Sequence, residues 1–188
     1  MHLNKILSAA LATVVCGLGA TIAAAQAPAP GCYERVYDAA HLAAHPGQLV
    51  LRATVLVKPL DAAETAALGP SFAADVRLRM WVKAQTFDSF GACRRADGGL
   101  SCEGSLSAAE ADSCKTNTDG VHRDCRISAA TTGAFGVVAR SDGLMVTILR
   151  RLELVHEPYD GGPFLYLSPG NAENHAFALK PAPESSCK

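Results

Sequence analysis

Hydrophobic and polar residues alternate with a period of two in several stretches of this chain, and that period is the signature of strands. Residues 48–58 alternate, with Leu49, Leu51, Ala53, Val55 and Val57 on one side. Residues 75–87 give the cleanest case. Val76, Leu78, Met80, Val82 and Ala84 share one face, while Asp75, Arg77, Arg79, Trp81, Lys83 and Gln85 share the other. Residues 133–140 and 143–155 follow the same rule, with Ser141-Asp142-Gly143 as the turn between them. Shorter strands are predicted at residues 33–37, 125–129, 164–167 and 176–179. Arg150 falls on the otherwise apolar face of Leu144, Val146, Ile148, Leu152 and Leu154. That position implies a bulge, a buried ion pair or a polar contact inside a barrel.

Helical signals are few and short. Asp38 is placed to cap a helix over residues 39–44, which Pro46-Gly47 must end. Asp61 with Glu64 forms a capping box for residues 61–68, closed by Gly69-Pro70. Ser107 and Glu110 offer a third capped turn over residues 107–112. Together these elements predict a mostly β fold: an antiparallel barrel or two-sheet sandwich of about seven or eight strands with one to three short helices.

The amino-terminal residues change the picture of where this fold forms. Lys5 precedes an apolar run over residues 6–22, and Ala23-Ala24-Ala25 supplies small residues for cleavage. This is the pattern of a secretory signal peptide. It divides the chain into a signal peptide at residues 1–25, a flexible Pro- and Ala-rich stretch at 26–31, and a single domain at 32–188. Val15 stands before Cys16, where lipid attachment wants a small residue. No later stretch is long and apolar enough to span a bilayer. The expected location is periplasmic or secreted.

The chain has seven cysteines. Cleavage removes Cys16 and leaves an even number, which in an exported chain implies disulfides. No CxxC occurs, so neither a thioredoxin-like site nor a zinc ribbon is suggested. Asp97-Gly98 is a hairpin signal of type I′, in which both central residues take positive φ. A two-residue turn there sets Ala96 opposite Gly99, Arg95 opposite Leu100, Arg94 opposite Ser101 and Cys93 opposite Cys102. The last two then fall on a non-hydrogen-bonded pair with Cα atoms about 4.5 Å apart, within disulfide reach. Cys114 with Cys125 would close a polar loop, leaving Cys32 with Cys187 to join the termini.

Charge and composition exclude some classes. Formal net charge is −1 and aromatics are 6% of the chain. A balanced charge gives no electrostatic case for nucleic-acid binding. GxSxG, SxxK, P-loop and GxGxxG motifs are missing, and oxidised cysteines remove a Cys/His mechanism.

Two sets of residues remain as chemistry. Asp38, His41 and His45 fall on one side of a helix, and imidazole with carboxylate suits zinc. The same residues also serve as a helix cap, a packed ring and a C-terminal cation. Arg77, Arg79, Trp81 and Lys83 share a strand face that could hold an anionic or aromatic ligand. That face equally fits a solvated surface with Trp81 packed beneath a helix. Loops at residues 157–163, 168–170 and 115–124 carry Tyr159, Asp160 and, just beyond, Asn171 without a recognisable constellation.

These observations point to an exported, non-enzymatic binding domain without a cofactor. Its ligand would be a protein partner, which it could inhibit, or a small molecule of the envelope. The alternatives are a zinc-dependent envelope protein or enzyme built on Asp38, His41 and His45, and a structural envelope protein.

Overall fold

A computed structural model describes residues 27–105, 133–157 and 164–188 of the chain. The strands are β1 (Gly31–Val36), β2 (Arg52–Pro59), β3 (Phe72–Val82), β4 (Gln85–Ala96), β5 (Gly99–Ser105), β6 (Ala134–Arg140), β7 (Gly143–Arg150), β8 (Leu152–Glu157), β9 (Phe164–Leu167) and β10 (Ala176–Ala182). Helix α1 (Ala39–Ala44) joins β1 to β2, α2 (Ala62–Leu68) joins β2 to β3, and a 3₁₀ turn (Glu184–Cys187) follows β10.

All pairings are antiparallel. The ring runs β1-β2-β3-β4-β5-β6-β7-β10 and shuts where β10 meets β1, giving a closed eight-stranded barrel rather than a sandwich. Ring closure pairs every wall strand on both sides, so the wall has no open edge. β4 is longer than its neighbours need. Along one side it pairs with β3; along the other it pairs first with β8 at Thr86–Asp88 and then with β5 at Phe90–Ala96. The sheet therefore forks at β4, and the β8–β9 hairpin branches from the wall.

The predicted alternation fills the barrel. Val55, Leu78, Met80, Phe87, Phe135, Val146 and Phe177 point inward and are buried. Leu152, Leu154, Leu165 and Leu167 of the branching hairpin join the same core. Gly91 is required by this packing: a Cβ there would come within 2.9 Å of the Cys102 Cβ and 3.0 Å of the Phe135 ring.

Both helices form where their caps predict. Asp38 accepts a hydrogen bond from the His41 amide at 2.8 Å. Asp61 and Glu64 make a reciprocal capping box, each bond 2.8 Å long.

Several details differ from the sequence reading. The run over residues 75–87 is not one strand: Val82 pairs with Gln85, so Lys83 and Ala84 form a two-residue turn, with Lys83 at φ 55°. Apolar alternation continued through this turn and concealed it. Likewise residues 143–155 break at Arg151 into β7 and β8. Of the three expectations for Arg150 the bulge holds: Arg150 pairs with Ala134 and Ile148 with Phe135, so Leu149 is the extra residue of β7, while Arg150 itself is exposed and reaches Glu103 at 3.5 Å rather than being buried or inside the barrel. The expected β2 start at Gln48 moves to Arg52.

Two disulfides form among the described residues. Cys93 opposes Cys102 in the predicted register, buried inside the barrel. Its turn differs in one respect: Gly98 takes positive φ, at 86°, but Asp97 does not. Cys32 bonds to Cys187, tying β1 to the 3₁₀ turn. Cys114, Cys125, the helix expected at 107–112 and the strand expected at 125–129 lie outside the described residues. Paired cysteines on this scale belong to chains that fold under oxidising conditions.

The two bridges close loops of different length, with sequence separations of 155 and 9 residues. In the chain-entropy view, Cys32→Ala/Cys187→Ala should cost about 5 kcal/mol and Cys93→Ala/Cys102→Ala about 2.5 kcal/mol, read by denaturant unfolding. Equal costs would show that loop length does not set the difference. Burial and the neighbouring Glu64 raise the Asp75 carboxyl pKa, against Lys58. A raised folded-state value favours the native protein in acid and opposes it once pH passes that value. Asp75→Asn should therefore raise Tm slightly at pH 7, on the order of 1 °C, and leave it unchanged near pH 3.

Candidate functional site

Register determines which outward side chains meet on the barrel wall. Direct opposition aligns Glu34, Thr54, Arg79 and Asp88 across β1 to β4. The next outward row aligns Val36, Arg52, Trp81, Thr86 and Glu157. Charged groups from five strands are thus gathered onto one wall.

Asp88 is the centre of this wall. Its side chain is fully buried. Arg79 approaches it with two parallel bonds, Nε to Oδ1 at 2.8 Å and Nη2 to Oδ2 at 2.9 Å. Arg77 Nη2 adds a third at 2.7 Å. Such bidentate, charge-assisted geometry is the strongest form of ion pair. Arg79 also pairs with Glu157 and donates from Nη1 to the main-chain oxygen of Lys188 at 3.1 Å. Burial alone would disfavour the Arg79 charge; its hydrogen bonds and attraction to Asp88 and Glu157 outweigh this and hold the guanidinium above its ordinary pKa.

Trp81 sits beside this network. The Arg52 guanidinium lies over its ring at 4.2 Å, and that of Arg79 lies 6.0 Å from the centroid. Arg52 is itself held by Glu34 at 2.6 Å and by the Ser186 carbonyl at 3.0 Å. The 3₁₀ turn that Cys187 anchors and the residue after it therefore supply main-chain oxygens to two arginines of the wall. Of the predicted patch, Arg77, Arg79 and Trp81 are brought together on one face. Lys83 is not, because it occupies the turn beyond Val82.

A second cluster lies at the end of the barrel where α1 sits. The ring of Tyr37 tilts over His41 at 4.7 Å, and His41 stacks on His45 at 4.3 Å. Arg35 covers Tyr37 at 4.9 Å, and Glu173 Oε1 reaches His45 Nδ1 at 3.5 Å. Asn174, fully buried, holds the two segments of this cluster together. Its amide donates to the Gly47 carbonyl at 2.7 Å, and its oxygen accepts from the Leu49 amide at 2.9 Å. Asn171 accepts from the Asn174 side chain at 3.2 Å. Asp38 is occupied as the α1 cap. Among the described residues, no group of three or more histidine, cysteine or acidic side chains is already arranged to hold a metal ion.

At the opposite end, a shallow pocket of about 380 Å³ lies between Tyr33, Arg140, Asp142 and Pro181. Tyr159 and Asp160 lie outside the described residues. No protein-family model, curated protein or solved structure matches this chain.

Sequence reasoning missed Glu34, Arg52, Asp88, Glu157, Glu173 and Asn174. Asp88 carries a weak signal, a lone acid set between Phe87 and Phe90. The others become neighbours only once the strands are in register.

Removing Asp88 leaves two arginines without their carboxylate on a wall where Arg79 has almost no access to water. Asp88→Ala should cost about 3–5 kcal/mol of folding stability, measured by chemical denaturation. A loss under about 1 kcal/mol would show that water replaces the carboxylate.

Proposed function

We propose that this chain is an exported, non-enzymatic binding domain that meets a protein partner on the outer wall of its barrel. Export is supported by the leader pattern and by the two disulfides. A barrel of eight strands is just wide enough for its own side chains or one small ligand. Here Phe135, Phe177, Leu78, Met80 and Leu144 occupy that space. The filled interior supports recognition on the outside, which favours a protein over an enclosed small molecule.

The observation that carries this reading is the placing of Trp81 beside two arginines, Arg52 over its ring and Arg79 locked by a buried carboxylate. Tryptophan and arginine are enriched among the side chains that dominate binding energy. A ring already held in place loses little conformational freedom on docking. Arg77, a quarter exposed, extends the contact along the strand. Arg79 acts through Trp81 and Asp88 as a positioning residue.

Cross-linking in the native envelope should give one discrete adduct. Trp81→Ala should lower its yield about tenfold or more while circular dichroism stays unchanged. Leu68→Ala, an exposed apolar change on α2, should leave the yield intact. An adduct equally strong in Trp81→Ala would remove this face from the function.

A further inference from the structure

We propose that Gln26 is a modification site: once the leader is cut after Ala25, its side-chain amide closes on the new α-amine to give an amino-terminal pyroglutamate. This rests on the export reading above and adds to it a chemical fate for the new terminus. Three observations lead there. First, Ala23-Ala24-Ala25 supplies the small residues that leader cleavage needs, and the residue after them is glutamine. Second, the residues that follow it are accessible yet fastened to the barrel. Ala27, Ala29 and Pro30 are exposed ahead of β1, whereas Pro28 is buried and the Tyr33 hydroxyl donates to the Ala29 carbonyl at 2.9 Å. Third, among the described residues the acid at this end already has a partner. Ala27 and Ala29 line the shallow pocket whose charged side chains are Arg140 and Asp142. Those two pair with each other at 3.5 Å, so the Asp142 carboxylate is compensated without a terminal ammonium.

The step balances within one residue. The neutral α-nitrogen attacks the side-chain carbonyl carbon of Gln26, a five-membered lactam forms, and the side-chain nitrogen leaves as ammonia. The proton lost by the attacking nitrogen passes to the departing one, so neither an oxidant nor a second reactant is needed. An α-amine has a pKa of about 8, so part of it is neutral at neutral pH. Nucleophile and carbonyl belong to one residue, which makes the reaction unimolecular. The product has lost the positive charge of the terminus. It also offers no free amine to an aminopeptidase, which would otherwise begin on the exposed Ala27 side of an exported chain.

The test is intact-mass spectrometry with amino-terminal sequencing of the full chain, expressed with its leader, purified after export and then incubated at about pH 8. The expected species begins at Gln26, weighs one ammonia less than the unmodified chain and gives no sequence directly. After treatment with pyroglutamyl peptidase, Ala27 should be read first. Gln26→Ala should give a chain of full calculated mass that sequences directly, with an unchanged circular dichroism spectrum. A chain that starts at Gln26 and keeps its amine through the incubation would overturn the modification and leave the export reading intact. A chain cut at another bond would likewise overturn the modification alone. A chain that retains its leader would overturn the export reading and the modification with it.

Discussion

The seam between β1 and β10 holds the rest of the molecule in shape. A sheet becomes a ring only when its last strand pairs with its first, and here that contact spans Cys32 opposite Ala182, Tyr33 opposite Pro181 and Glu34 opposite Lys180. Pro181 has no amide hydrogen to give, so even this short ladder is incomplete. By comparison, β3 and β4 align from Phe72–Arg94 to Val82–Gln85. The Cys32–Cys187 bond stands at this seam. Oxidised sulfur thus reinforces the closure where main-chain hydrogen bonding is thinnest. Arg52 and Ser186, meeting at 3.0 Å, hold the same turn by a polar contact.

The seam also accounts for the unusual outer wall. Outward residues of a small barrel normally face water, yet Asp88 and Arg79 are buried there. The branching hairpin contributes Glu157 on one side, and the anchored turn contributes the Lys188 oxygen on the other. Once water is excluded, Arg79 must find partners for its donors, and the strands supply them in register. The cost of burying the ions is offset by bidentate geometry rather than by simple proximity. A rigid wall of this kind is a suitable mount for Trp81.

Local features were legible in the sequence and distant ones were not. The Cys93–Cys102 pair could be counted outward from Asp97-Gly98, because hairpin register depends on the turn alone. The capping box of Asp61 and Glu64 was legible for the same reason. Lys83-Ala84 escaped notice because a turn without glycine or proline interrupted neither the alternation nor the polarity. Arg77, Arg79 and Trp81 were recognised as one face, but their partners come from β2, β4, β8 and the residues after β10. The link between Glu173 and His45 joins positions far apart in sequence and has no periodic signature. Barrel and sandwich share the same alternation, so only the β10–β1 and β3–β4 contacts decide between them.

The place of β10 between β1 and β7 sets the order of assembly. Among the described strands, every ring pairing from β1 to β7 joins consecutive ones, so a growing polypeptide zips them progressively. The β10 segment arrives last and must insert between two strands already made. Until then β1 and β7 present bare backbone on facing margins, a template for intermolecular pairing. Maturation of this protein therefore has a vulnerable interval that ends when residues 176–182 slot home.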